Sequence, residues 1–484
     1  MSDADIAFKT VSELGDMLRA KQISSVELTQ LYLGRLQRLG PKLNALVTPM
    51  PDRALREARA ADDDLARGND RGPLHGIPYG VKDLLAARGA PTTWGAAPFR
   101  HQQFDYDATA VEKLGQAGAV LLGKLAMIEL AGGMNYNQAD ASFTGPCKTP
   151  WSLEHWSGGS SSGSGASVSA GLVAFALGSE TSGSILNPSS YCGVTGLRPT
   201  YGRVSRFGAM ALSWTLDKVG PICRTAADAL TVFNVIAGRD PKDKTSLDAP
   251  SGPPLRHLSR TVTRTSGTPS GSDVLSPRWR LGLLKGSTNK VQPEVKRNLE
   301  RALHIMGDHA SIETVELPEA PYDAMIGAII SGEAASLFRD IIEDGRVQTL
   351  TDPLGRRGGY SYLVVSAVDY IDAMRYRVTL RSQFRKLFQK VDAIVAPTFA
   401  TVAYPIDTTF DKVYPGMVES NLVEAANLAG LPAISVPDGF GLHNLPTGMS
   451  FVGSPFSEPD LVAMASIYQD QTRLYLQRPP IALV

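Results

Sequence analysis

No stretch of this sequence is apolar for long enough to cross a bilayer as a helix. The longest apolar run, 166–177, is short and broken by serines, whereas a spanning helix needs about 20 consecutive apolar residues. The opening Met-Ser-Asp-Ala-Asp-Ile-Ala-Phe-Lys has no basic region followed by an apolar one, so a cytoplasmic protein, neither secreted nor membrane-bound, is expected. Net charge is missing too. The 48 Lys and Arg balance the 48 Asp and Glu, which leaves no overall field to draw nucleic acid or anionic lipid. Cysteine is scarce: Cys147, Cys192 and Cys223 are an odd, widely spaced set without a CxxC pair. That excludes a disulfide framework or a cysteine zinc site and leaves small buried hydrophobes. No His/Asp/Glu cluster has metal-ligand spacing and no G-x-G-x-x-G follows a strand, so neither metal nor cofactor is expected.

What is present is an ordinary globular composition, 43% hydrophobic and 20% charged over 484 residues. Such a length accommodates a sizeable core, as one large α/β unit or as several domains. The most informative stretch is 158–188, where two serine clusters sit on glycine-dense backbone on either side of an apolar run. Serines flanked by glycines lie where the chain can turn sharply and expose backbone N–H groups, as a nucleophile and its oxyanion hole require. A serine-based acyl-transfer enzyme is the expectation.

Along the chain, Ser24-Ser25-Val26-Glu27 forms a capping box, followed by Leu28, Leu31, Tyr32 and Leu36 on one helical face. Further helices are predicted at 53–67, 293–307, 321–345, 366–390, 421–430 and 459–473, and 166–177 reads as a small-residue helix inside the core. The segment 72–85 carries too much Gly and Pro for a helix and reads as a short strand delivering Lys82. Buried strands are predicted at 119–122, 279–284, 392–398 and 447–453. Alternating strands and helices indicate an α/β fold. From 249 to 276 the composition turns to Pro, Gly, Ser, Thr and Arg, a loop insertion within one fold spanning 1–484, with helices filling 1–70.

Lys82 lies among Ile77, Pro78, Val81, Leu84 and Leu85. Desolvation there would yield a neutral amine able to act as a base; the plainer alternatives are a surface lysine or a pair with Asp83. Ser184 lies in Glu180-Thr181-Ser182-Gly183-Ser184, where successive N–H groups can converge on an oxyanion, or where a serine simply caps a tight turn. Gly159-Ser160-Ser161-Ser162-Gly163 satisfies the G-x-S-x-G elbow and would make Ser161 the nucleophile, with His257, His304, His309 or His443 as partner. So serine-rich a stretch meets that pattern easily. Gly118 to Leu125 resembles a P-loop but ends in Leu where Ser or Thr is needed.

These residues also carry a likeness. Gly76-Ile-Pro-Tyr-Gly-Val-Lys82-Asp83, Gly158-Gly159-Ser160-Ser161, Gly178-Ser-Glu-Thr-Ser-Gly-Ser184-Ile185 and Gly193-Val-Thr-Gly-Leu-Arg-Pro-Thr-Tyr-Gly-Arg-Val-Ser205 resemble, in this order, segments of the amidase signature enzymes. So do Leu216 to Pro221, Asp392 to Thr398 and Asn444 to Met449. The resemblance implies one α/β/α domain with a mixed central sheet covered by helices on both faces. It implies a Ser-cisSer-Lys triad of nucleophile Ser184, bridging Ser160 after a cis peptide, and base Lys82, with Thr181, Ser182 and Gly183 in the oxyanion hole. The implied activity is hydrolysis of a carboxamide, or a related acyl bond, in a small molecule through an acyl-enzyme. The alternatives are the A subunit of a tRNA-dependent amidotransferase, the one case that brings in nucleic acid, and a catalytically silent binding homologue. Homodimers are common in that family. Its nucleophile segment usually reads Asp-Thr-Gly-Gly-Ser-Ile-Arg. Here Glu180, Ser182 and Leu186 stand in place of the Asp, a Gly and the Arg, and loss of that Arg is expected to weaken support for the oxyanion loop.

Overall fold

Strand and helix signals resolve into one mixed sheet of eleven strands flanked by helices. The computed structural model describes residues 2–249 and 279–483; all of the predicted insertion but its first residue, Ala249, lies outside the described residues. In chain order the strands are β1 (Leu46–Pro49), β2 (Pro78–Lys82), β3 (Val120–Leu125), β4 (Lys148–Thr149), β5 (Ser152–Trp156), β6 (Phe175–Glu180) and β7 (Thr195–Arg198). They continue with β8 (Lys218–Cys223), β9 (Trp279–Leu284), β10 (Ala310–Val315), β11 (Ala393–Pro397), β12 (Ala433–Phe440) and β13 (Pro446–Gly453). Strands β4 and β5 form a separate two-stranded sheet; the others run in the order β1-β3-β2-β6-β8-β7-β12-β13-β11-β9-β10. The neighbours β3, β2 and β6 are parallel, as are β11, β9 and β10, and antiparallel pairings join the two groups.

The local sequence explains most of these elements. The helix Ser25–Leu43 starts on its capping box, with Glu27 N–H donating to Ser24 Oγ at 3.1 Å and Ser24 N–H to the Glu27 carboxylate at 2.8 Å. It buries Leu28, Tyr32, Leu36, Leu39 and Leu43 along one stripe. Strands β2, β3 and β6 are buried at every residue, as a parallel sheet covered on both faces must be. All three cysteines are buried and unpaired. No helix among the described residues is long and apolar enough to cross a membrane.

Three elements differ from their prediction: β1 interrupts the helices expected over 1–70, the helix expected over 321–345 is two, Tyr322–Leu337 and Arg339–Glu343, and the third lies in the core. The segment read as a single helix over 166–177 is a helix over Ser162–Ser169 followed by strand β6. A buried apolar run such as Leu172 to Leu177 carries no amphipathic period, so helix and strand look alike in it. Packing decides the matter. Beside this helix a Cβ on Gly163 would sit 2.4 Å from both Ala126 N and Ala45 O, and one on Gly165 would sit 2.8 Å from Pro188 O. With Ser, Gly and Ala at every position but Val168, the helix is small enough to lie against the strands, and it brings Ser160 and Ser161 to the carboxyl ends of β2 and β6.

Candidate active site

In open α/β sheets, ligand sites form beyond the carboxyl ends of parallel strands. Here Lys82 ends β2 and Glu180 ends the adjacent β6, in register from Tyr79 opposite Phe175 to Val81 opposite Leu177. Lys82 is wholly buried. Its Nζ donates to Ser160 Oγ at 2.7 Å, to Ser179 Oγ at 3.0 Å and to Ser179 O at 3.4 Å. The pair with Asp83 is not made: that carboxylate holds Lys124 Nζ at 2.8 Å and the Thr93 hydroxyl and N–H. Burial, with no carboxylate in contact among the described residues, pulls Lys82 from 10.5 down to about 7, against the opposing charges of Asp217 and Glu180. An amine near pH 7 can take and return a proton under physiological conditions.

The Gly159–Ser160 peptide is cis. The Gly159 N–H donates to Asn187 Oδ1 at 2.8 Å, and Ser160 O accepts from Ile128 N–H at 3.1 Å. Position 159 tolerates no side chain, because a Cβ would lie 2.6 Å from the Trp156 ring.

Beyond β6 the chain turns through Thr181, Ser182 and Gly183, which adopts φ of 84°, a conformation open to glycine at no steric cost. Thr181 Oγ1 donates to Asp217 Oδ1 at 2.5 Å, Asn187 N–H to Gly183 O at 2.7 Å and Ser161 N–H to Ser184 O at 3.3 Å. The next two N–H groups, of Ile185 and Leu186, donate to Glu180 Oε2 at 2.9 and 3.1 Å. Among the described residues the N–H groups of Thr181, Ser182, Gly183 and Ser184 have no hydrogen-bond acceptor in the protein. Ser184 is 7% exposed and Ser182 somewhat more. The turn is thus held at Ile185 and Leu186 although Leu186 stands where the family has Arg. The acceptor is Glu180, whose other oxygen is held by Arg198 Nη1 at 2.7 Å and Asn427 Nδ2 at 2.9 Å.

Lys82, Ser160 and the turn bearing Ser184 are therefore brought together, and the remaining candidates are not. Ser161 is wholly buried; its hydroxyl donates to Ser179 O at 3.1 Å and accepts from Ser179 N–H at 3.2 Å. None of these bonds involves a histidine. His443 faces the His155 ring at 5.4 Å, His304 lies on the helix Pro293–Met306, His309 just follows it, and His257 lies outside the described residues. The P-loop-like segment is β3. Among aromatic residues in or near the site segments, Tyr191 is core, packed on Trp156, Phe399 and Tyr404. Phe143 lies under Arg100, Tyr360 is exposed, and Tyr362 lines a separate cleft with Trp214, Glu333 and Tyr370. Sequence reasoning missed Ser179, Asn187, Asp217, Arg198 and Asn427. Ser179, Arg198 and Asp217 lie within the family-like segments and Asn187 within the stretch 158–188, but nothing local to any of the five marks it as a partner of the site.

The chain is also similar to known proteins along most of its length. The Amidase family profile matches residues 27–462. The A subunit of the glutamyl-tRNA(Gln) amidotransferase of Carboxydothermus hydrogenoformans is 34% identical over 503 residues, covering 99% of this chain and 100% of that one. Among solved structures, the peptide amidase of Stenotrophomonas maltophilia superposes with a TM-score of 0.84 at 30% identity, covering 98% of each chain. The A subunit of the glutamyl-tRNA(Gln) amidotransferase of Thermotoga maritima superposes with a TM-score of 0.74 at 29% identity, covering 96% of this chain and 95% of that one. The profile match over most of the chain, together with identity of 34% to a relative along 99% of it, shows that this chain belongs to the Amidase family.

Proposed function

We propose that the protein hydrolyses a carboxamide, or a related acyl bond, of a small molecule, with Ser184 as nucleophile, Ser160 as bridging hydroxyl and Lys82 as base. The observation that carries this reading is the buried Lys82 amine, without a carboxylate contact and 2.7 Å from Ser160 Oγ. As Ser184 Oγ attacks the carbonyl carbon, its proton passes to Ser160 and the Ser160 proton to neutral Lys82, which becomes an ammonium. The carbonyl oxygen takes the negative charge and is received by N–H groups of the turn Thr181, Ser182, Gly183 and Ser184. Collapse breaks the C–N bond; Ser160 protonates the departing nitrogen and is reprotonated by Lys82, leaving a neutral amine product and an acyl-Ser184. Water then attacks that ester by the same relay, releasing the carboxylic acid and restoring all three side chains. No metal or cofactor takes part in this scheme. We read residues 1–484 as one catalytic unit, since the sheet supporting the site draws strands from Leu46 to Gly453.

A second reading has its own support: identity of 34% to 36% to amidotransferase A subunits along 99% of the chain. In that case the same site would release ammonia from glutamine for partner chains acting on tRNA. One experiment addresses both. The pure protein is treated with a fluorophosphonate and the adduct mapped by mass spectrometry, in wild type and Lys82→Ala, alongside turnover of simple amides. An adduct on Ser184 that disappears in Lys82→Ala, with amide turnover by the chain alone, is expected. An adduct on Ser161 refutes the triad, and labelling of Ser184 without turnover unless partner chains are added favours the amidotransferase reading.

A further inference from the structure

Glu180 is wholly buried, yet its carboxylate receives four donors from three parts of the chain. Oxygen Oε2 takes the N–H groups of Ile185 and Leu186, the two residues after Ser184. Oxygen Oε1 takes Arg198 Nη1 from the end of β7 and Asn427 Nδ2 from the helix Leu422–Ala429. Arg198 is wholly buried as well, its Nε donating to Leu431 O at 3.2 Å, so both ends of the pair are fixed by the frame of the fold. Burying two charges is a poor route to stability, because desolvation offsets most of their attraction. What the pair does supply is position, since charge-assisted bonds to a carboxylate are short and directional.

We propose that Arg198 is a positioning residue for catalysis: through Glu180 it fixes the turn that presents the Ser184 hydroxyl and the N–H groups of residues 181–184. This deepens the reading of Ser184 as nucleophile and rests on it. Leu186, which takes the place of the family's usual arginine, is packed in the apolar cluster with Leu422, Ala425 and Ala426, so the cationic anchor of this turn comes from β7 instead. The glutamate length suits the task. An aspartate, one methylene shorter, cannot keep both the N–H pair of 185–186 and the guanidinium of Arg198 without backbone movement.

The Glu180 charge also reaches the base. Lys82 faces the carboxylates of Asp217 and Glu180, both of which favour its ammonium form. Glu180 in turn faces Arg198 and Lys218, which outweigh the cost of burial and hold it at about 2, and Glu424 is close enough to feel both members of the pair. Glu180 is therefore ionised throughout the working range. Removing its charge lowers the pH at which Lys82 becomes neutral, an effect that a purely structural role would not produce.

The test uses the full chain and the fluorophosphonate as probe. The second-order rate of adduct formation on Ser184 is measured across pH for wild type, Glu180→Gln, Glu180→Asp, Arg198→Lys and Arg198→Met, with a thermal melt of each. Arg198→Met is expected to slow labelling by about 10²-fold, the cost of a misplacement of about 1 Å. Arg198→Lys, which keeps the charge but not the planar fork, should recover part of that loss. Glu180→Gln is expected to slow labelling and to move the acidic limb to lower pH. Labelling within about twofold of wild type in Arg198→Met, an unmoved limb in Glu180→Gln, or loss of labelling only in variants that have melted at the assay temperature each overturns the proposal. Absence of a Ser184 adduct in the wild type overturns the underlying nucleophile assignment instead, so the two failures are distinguishable.

Discussion

Replacing Lys82 with methionine should abolish labelling of Ser184 and, at the same time, stabilise the fold in a pH-dependent way. The fall from 10.5 to about 7 means that the native state resists protonation of this amine by roughly 5 kcal/mol, at about 1.4 kcal/mol per pH unit. The unfolded chain keeps the proton up to about pH 10.4, whereas the native state releases it near 7. Below pH 7 both states are protonated and the native state bears the full cost of a buried ammonium. Between about 7 and 10.4 the unfolded state binds more protons, so wild-type stability rises with pH; above that range the cost is gone. Methionine has no such dependence. Its advantage over wild type is therefore largest at or below pH 7 and shrinks by about 3 kcal/mol between pH 6 and pH 9. The hydrogen bonds to Ser160 and Ser179 that the variant gives up cost about 1 kcal/mol each, equally at both pH values, and drop out of the comparison. Urea unfolding of both proteins, followed by circular dichroism at the two pH values, measures the difference directly. A difference that stays constant to within about 0.5 kcal/mol would mean that Lys82 does not titrate near 7, and its role as base would fall with it.

Two further outcomes are expected. Gly163→Ala puts a methyl group 2.4 Å from Ala126 N and Ala45 O, backbone atoms that cannot move aside, so urea unfolding should show a loss of about 3 kcal/mol. Ser161→Ala removes a buried hydroxyl that bridges both polar groups of the Ser179 backbone; it should cost about 1–3 kcal/mol and leave the fluorophosphonate adduct on Ser184. Disappearance of that adduct would instead revive the elbow serine.

The residues whose type is dictated by local chemistry were legible in the chain: Lys82 in an apolar strand, serines embedded in glycine at 158–163 and 179–184, and the Ser24–Glu27 cap that starts a helix. Each depends on neighbours within a few positions, and sequence records those. The stretch 166–177 was misread because burial on all sides erases the period that separates helix from strand. Pairing was beyond reach for a different reason. Asp83 adjoins Lys82 in the chain but neutralises Lys124, and Glu180 takes partners 18 and 247 residues away. Sequence alone determined the candidate site segments, the order of the motifs and the α/β class, because residue type and spacing suffice for them. Tertiary structure decided which charges meet, leaving Lys82 without a carboxylate contact and Glu180 clamped by Arg198, because the energy of a buried charge depends on the three-dimensional arrangement of dipoles and counter-charges around it.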